Sequence, residues 1–393
     1  MDFKINFSGT GHKYTKEELN VVLETMQDAD PLTQGIYRDK FEKAFCEYNG
    51  NDFAFSVCNA TAALELAAQL CLFKENDEII VPSHTFTSSV YPFIKKGAKV
   101  VWCDIDLDTR VVNLKNIKKC VTKNTKVIVV VHLYGFMIPD IEEIAKFAKE
   151  NNILLIEDVA QAMGTEIHGK KAGTFGDFSI FSFHSHKNIT TLGEGGIIAV
   201  KDKKYADIIP MLRHNGHCAF EGERKEYWKP AMGNVDIPNL NGIDLMPNNY
   251  CLGEVECALG TKLLDRLDQM NEFKRKRAVD FIDNLKDFRS IVFHRVDNES
   301  HNYHLLVAYI KANKRDQLME RLAYEKGIKC VVQYCPLNRY PLYKKLGFGN
   351  ANCPNSDTFF DNMISFPFHH WMSDDDFSYM IKSTKEVAVE LGL

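Results

Sequence analysis

No apolar run in this 393-residue chain reaches the roughly 18 to 20 residues that a membrane-spanning helix requires. The opening stretch, Met1-Asp-Phe-Lys-Ile-Asn-Phe7, lacks the apolar core of a secretory leader. An excess of charge of one sign is missing too. Lys and Arg number 48 against 53 Asp and Glu, a net charge of -5, too small to argue for nucleic acid or an anionic membrane as a partner. A cytoplasmic protein is the expectation. The 11 cysteines are scattered and contain no C-x-x-C pair. That spacing argues against a disulfide framework and lacks the close ligand pairs of a structural zinc site, so no metal is expected and most thiols read as small buried hydrophobes. Internal repeats and low-complexity linkers are absent as well.

What is present is an average globular composition, 45% hydrophobic and 26% charged. The length is large for one compact core and suggests a large and a small domain. Short apolar runs, Glu78–Val81, Lys99–Trp102, Lys126–Val131, Asn152–Ile156, Asp177–Phe181 and Gly196–Val200, alternate with helical patterns. They are apolar on both faces, as strands of a mainly parallel, helix-covered sheet must be. Asp140–Glu150 is the clearest helix, with Ile141, Ile144, Phe147 and Ala148 along one stripe. The alternation predicts an α/β fold. From Gly253 to about Leu285 the pattern becomes one long charged helix, bent or broken near Asp268. Beyond it strand and helix patterns mix, with Tyr303–Ile310 a strand and Asp316–Ala323 a helix. The predicted division is a large α/β domain over 1–250, a connecting helical region over 251–285 and a small α+β domain over 286–393.

Ligands of open α/β sheets bind at the carboxyl ends of the strands. The residues predicted there are Thr85, Phe86, His132, Asp158, Gln161, Ser182 and Lys187. A carboxylate directly after a buried strand is costly unless paired, and Asp158 would suit a cofactor ring nitrogen that must stay protonated. A turn or helix-cap aspartate is the plain alternative, and the adjacent Glu157 reads as structural. Lys187 lies between two buried-looking strands, beside His184, His186 and the Gly193-Glu-Gly-Gly196 turn. A lysine so desolvated has a lowered pKa and can act as a Schiff-base nucleophile and proton shuttle, whereas an isolated lysine is ordinarily a surface residue. Ser56–Leu64 reads as a turn opening a helix from Ala60 to about Leu72, whose first amides could face a phosphate. Most such helix starts bind nothing. Taken with Asp158 and Lys187, however, this one completes three anchors for pyridoxal phosphate (PLP): phosphate, ring nitrogen and aldehyde.

In this order the motifs resemble the DegT/StrS-type sugar aminotransferases of PLP fold type I, over nearly the whole chain. The residues that carry the resemblance are Leu32-Thr-Gln-Gly35, Asn59-Ala-Thr-Ala-Ala-Leu64, Pro82-Ser-His-Thr-Phe86, Val131-His-Leu-Tyr-Gly135 and Ile156-Glu-Asp-Val-Ala-Gln-Ala162. They continue with Phe181-Ser-Phe-His184, Lys187-Asn188, Gly193-Glu-Gly-Gly196, Asn249-Tyr250, Ala258-Leu-Gly260 and Ser365-Phe-Pro367. The resemblance implies that Lys187 is the Schiff-base lysine, that Asp158 pairs with the pyridine nitrogen and that Gln161 meets the ring hydroxyl. By the same token Phe86 stacks on the ring, while Ala60, Thr61 and Ser182 hold the phosphate. It implies a homodimer, in which Asn249 reaches the neighbour's phosphate. It further implies amino transfer from L-glutamate to a keto sugar, most often nucleotide-linked, for surface polysaccharide or glycan biosynthesis. Two positions depart from the family pattern: Ala60 stands where Gly is usual, and Cys251 where Arg commonly follows Asn-Tyr.

Some relatives carry histidine in place of the lysine and dehydrate the sugar. His184 and His186 flank the position here, but Lys187 matches the lysine, which favours amino transfer. Gln34, His184, Arg213, Tyr334 and His369 are the expected acceptor contacts, with packing or surface roles equally open for histidines such as His369. Those residues would suit a sugar diphosphate and a smaller phosphorylated ketone alike.

Overall fold

The computed structural model describes residues 2–218 and 233–393. Seven strands form the main sheet: β1 (Phe53–Val57), β2 (Glu78–Pro82), β3 (Lys99–Cys103), β4 (Thr125–Val131), β5 (Leu154–Asp158), β6 (Phe178–Ser182) and β7 (Gly196–Val200). Their spatial order is β1-β7-β6-β5-β4-β2-β3, and only β7 runs against its neighbours. Six of these strands are the predicted ones, displaced by at most two residues at an end. The seventh, β1, escaped because Phe53-Ala-Phe-Ser-Val57 is too mixed, with Ala and Ser inside it, to stand out from the segments around it.

Alternation along each strand splits the core in two. On β4, Ile128 and Val130 pack into one cluster with Phe41, Ile144 and Phe181, while Val127 and Val129 pack into another with Leu64, Phe93 and Ile209. Both faces are therefore covered, as the unbroken apolar runs require. The covering helices used below are α1 (Lys16–Asp28), α2 (Ile36–Asn49), α3 (Ala60–Leu70) and α4 (Ile141–Glu150).

The expected long helix is two: α5 (Glu254–Leu264) and α6 (Leu267–Asn284). The break falls at Asp265–Arg266, two residues before Asp268. Arg266 leaves the helical region (φ -118°, ψ 3°) and ion-pairs with the buried Glu18 at the start of α1. A third cluster joins the end of α6 to the antiparallel sheet β8 (Ile291–Phe293), β9 (Leu306–Ile310), β10 (Met363–Phe366) and the helices α7 (Arg315–Tyr324) and α8 (Asp374–Leu391). Two details depart from the sequence reading. The strand expected from Tyr303 begins only at Leu306, because Tyr303 adopts φ 48° and turns the chain. Ile5, far from this region in sequence, packs into the same third cluster and bridges to Ile328.

All eleven cysteines are free thiols. Among the described residues, no helix is long and apolar enough to cross a membrane.

Candidate active site

A cavity of about 550 Å³ opens at the carboxyl ends of the parallel strands and is lined from both sequence halves. Its floor comes from strand ends and the turns after them. β5 delivers Asp158 as its last residue, and Gln161 follows three residues on. Phe86 follows β2, Ser182 closes β6, and the loop between β6 and β7 carries His184, His186 and Lys187.

Lys187 is partly buried, with its open side on the cavity, and its ammonium makes no hydrogen bond or ion pair within the described residues. Desolvation lowers its pKa to about 8, against the upward pull of the Asp158 charge. Asp158 is 6% exposed, with one carboxylate oxygen accepting from the Ser89 hydroxyl (2.7 Å) and the other from the Ala160 amide (3.0 Å). Those bonds hold a carboxylate in place at the strand end without supplying a cation. Gln161 is oriented at both ends: its oxygen accepts from the Tyr134 amide (2.7 Å), and its amide donates to the Tyr334 hydroxyl (3.1 Å). Phe86, 51% exposed, meets the Tyr334 ring edge-on at 5.9 Å.

The neighbouring Glu157 faces away from the cavity, as its structural reading anticipated. Its carboxylate accepts from the amides of Gly173, Phe175 and Gly176 (2.6–2.9 Å) and pairs with His132 at 2.9 Å. Burial would raise its pKa, but these partners outweigh burial and hold it below the ordinary glutamate value.

α3 begins at the cavity wall. The Asn59 side chain accepts from the Ala62 amide and the Asn59 carbonyl from the Ala63 amide. The first two helical amides, Ala60 and Thr61, have no partner in the helix and lie at the cavity. Thr61 donates its hydroxyl to Ser88 at 3.0 Å. Gly196 makes this geometry possible, because a Cβ there would stand 2.6 Å from the Ala60 nitrogen.

The site therefore offers an unpaired lysine, a carboxylate without a cation and free amides at a helix N-terminus, arranged around one cavity. That donor set fits pyridoxal phosphate. Residues 13–385 match the model of the DegT/DnrJ/EryC1/StrS aminotransferase family.

The chain belongs to that family. It is a PLP-dependent aminotransferase of fold type I. A GDP-perosamine synthase of Escherichia coli O157:H7 is 31% identical, the match covering 87% of this chain and 91% of the relative. Among solved structures, PseC of Helicobacter pylori, an aminotransferase of pseudoaminic acid biosynthesis, superposes with a TM-score of 0.87. It is 25% identical over 99% of this chain and all of its own. The putative sugar aminotransferase Spr1654 of Streptococcus pneumoniae, in its pyridoxamine phosphate form, superposes at 0.84 with 26% identity, covering 98% of this chain and all of that one.

Of the expected residues, Lys187, Asp158, Gln161, Phe86, Ala60, Thr61, Ser182, His184, Tyr334 and His369 all line the cavity. Three do not. Arg213, 2% exposed, spends its charge inside the fold, donating to the Glu42 carboxylate and the Ser56 carbonyl behind β1. An interior guanidinium that already has a carboxylate and a carbonyl is not available to a ligand of this cavity. Gln34 accepts from Arg38 at 2.7 Å, in a turn pinned to α5 by Glu254, which accepts from the Gly35 and Tyr37 amides. Asn249 is exposed and bridges to His214. Cys251, the departure from the family pattern, sets its thiol against the Arg213 carbonyl at 3.5 Å.

Five contributors named here were not anticipated. Ser8, Thr10 and Gly11 of the N-terminal strap line the cavity, as do His304 and, on α6, Lys274. The strap left no local signal. Lys274 left one: it sits on the buried stripe Leu267, Met270, Lys274, Ala278, Phe281, a lysine in the apolar face of a helix.

Proposed function

We propose that this enzyme moves an amino group from L-glutamate to the keto carbon of a nucleotide-linked keto-deoxy sugar, at a site completed by a second copy of the chain. The observation that carries the reading is the unpaired Lys187 in the same cavity as Asp158 and the free amides of α3. When bound, pyridoxal phosphate supplies an electron sink for the carbon that loses its proton. Asp158 would keep the ring nitrogen protonated, with Ser89 and Ala160 fixing the carboxylate. The Ala60 and Thr61 amides and the Thr61 and Ser182 hydroxyls would hold the phosphate, the helix N-terminus favouring its charge. Gln161, locked by Tyr134 and Tyr334, would meet the ring hydroxyl, and Phe86 would cover one ring face. Lys187 would hold the cofactor's carbonyl end, and its amine would take and return the proton at the substrate carbon. A pKa of about 8 leaves a usable fraction of free base at neutral pH.

Sugar-type acceptors are favoured by the relatives named above and by the histidine- and tyrosine-rich outer wall formed by His184, Tyr334 and His369. A second copy is favoured by the apolar side chains left on α1, α2 and the turn between them. Leu19, Leu23, Met26, Leu32 and Ile36 are 47–62% exposed on a monomer surface, which ordinarily hides so many neighbours. Thr33, next to Gln34, bridges to Gly253, four residues after Asn249, and by the family resemblance Asn249 of the partner subunit would reach the phosphate.

The test is the visible spectrum of PLP-loaded protein before and after L-glutamate, followed by product analysis with a panel of nucleotide-linked keto sugars. A yellow band that bleaches with glutamate and returns with 2-oxoglutarate or with one keto sugar is expected. A band indifferent to glutamate, with water lost from a deoxy-keto sugar, would replace amino transfer by dehydration. Turnover of small phosphorylated ketones alone would replace the acceptor class.

A further inference from the structure

Lys274 is 4% exposed and is among the residues that line the same cavity as Lys187. An ammonium has three protons to donate. One goes to the Asn188 side-chain oxygen and one to the His304 carbonyl, each at 3.0 Å, and the third has no partner in the described chain. No carboxylate ion-pairs with it among the described residues. The aromatic face of Phe368, 5.3 Å away, is its other neighbour on the cavity side. The nearby His304 and His369 supply no negative charge: burial keeps both imidazoles neutral, His304 well below the ordinary histidine pKa and His369 at about 4. Burial without a counter-charge lowers the Lys274 pKa to about 7, so the charged form is held at a cost that the two neutral acceptors do not remove. An anion that arrives with the substrate would account for it.

The position says which anion. Asn188 directly follows Lys187 and is gripped by both Lys274 and Asn271. Lys274 is thus tied through Asn188 to the segment that carries the reactive lysine, whereas the free amides suited to the cofactor phosphate belong to α3. The carbon from which Lys187 takes a proton in an amino acid carries the α-carboxylate one bond away. The diphosphate of a nucleotide sugar lies several bonds from its keto carbon. We propose that Lys274 is the donor-recognition residue of this enzyme, its free N–H receiving the α-carboxylate of the amino acid. The assignment rests on amino-acid-dependent transfer as proposed above. Specificity for an α-amino acid over a simple amine then comes from the connecting helix α6 and not from the sheet.

The experiment compares L-glutamate with 4-aminobutyrate, which keeps the side-chain carboxylate and lacks the α-carboxylate, in single-turnover bleaching of the PLP-loaded enzyme. Wild type, Lys274→Met and Lys274→Arg are used. Lys274→Met should weaken the glutamate reaction about 10- to 100-fold, the worth of one charge-assisted hydrogen bond, and leave 4-aminobutyrate within about threefold. Lys274→Arg should restore part of the preference. The melting temperature of the cofactor-free Lys274→Met protein should stay level or rise, because an unpaired buried charge has been removed. Equal losses for both donors with a lower melting temperature would make Lys274 a mere prop for Asn188 and overturn the proposal. So would an unchanged glutamate reaction with a raised KM for the sugar. If wild type ignores glutamate, the reading of the donor fails separately, and the same comparison is made with the amino acid that does react and its decarboxylated amine.

Discussion

Two lysines share one cavity, and their surroundings give them different work. Lys187 has a carboxylate in range and no hydrogen-bond partner, so its amine is free to react. Lys274 is held by Asn188 and His304 and is available only to bind. The Lys187 pKa of about 8 reflects burial offset in part by Asp158, and both effects can be read out. The rate at which cofactor-free enzyme takes up PLP should rise as pH increases through about 8, where the amine loses its proton, and then level off. In Asp158→Asn the charge that favours the ammonium is gone, so the inflection should move to lower pH. Stopped-flow absorbance over pH 6–10 checks both, and an inflection unmoved in Asp158→Asn would remove that carboxylate from the electrostatics of Lys187. Residue-scale chemistry of this kind was legible beforehand because Asp158, Gln161, Ser182 and Lys187 each sit at or just after a strand end, where sequence adjacency already implies position.

At the scale of elements, the N-terminal strap is the part that sequence could not place. Gly11 donates to the Ser185 carbonyl (2.9 Å), the Ser185 hydroxyl donates back to Gly9 (2.5 Å), and the Tyr14 hydroxyl donates to the Thr190 carbonyl (2.9 Å). The strap is thereby laced to the loop that carries Lys187. A Cβ on Gly11 would overlap the Lys187 carbonyl, a backbone atom that can yield only if its loop moves. Gly11→Ala should therefore displace the strap or the lysine loop, costing about 1–3 kcal/mol of stability and weakening PLP binding several-fold. Thermal melts and a PLP titration measure the two effects, and wild-type values for both would show that the strap is slack. The contact joins residues more than 170 positions apart, so no periodicity or local propensity encodes it. The long helix and its break near Asp268 both followed from pattern, whereas the pairing of Arg266 with Glu18 that accompanies the break at Asp265–Arg266 joins distant parts of the chain.

For the whole molecule, the proposed dimer makes a prediction that one chain cannot satisfy. If each site takes Lys187 from one copy and Asn249 from the other, then Lys187→Ala and Asn249→Ala enzymes, each impaired alone, should complement when refolded together. Half the dimers would be mixed, with one intact site of two, so activity should return to about a quarter of wild type. Activity no greater than the sum of the separate variants would place both residues in the same copy's site. Sedimentation of the mixture supplies the assembly state independently.

The sequence by itself determined the fold class, the family and the cofactor, because strand periodicity and strand-end chemistry are properties of neighbouring residues. Tertiary structure alone decided the rest. It turned Arg213 inward to Glu42, brought the strap over the lysine loop, and set Lys274 of α6 beside Asn188. The physical reason is the same in each case. Whether a charged side chain binds a ligand or a neighbour depends on which distant groups share its buried surroundings, and only packing assembles those.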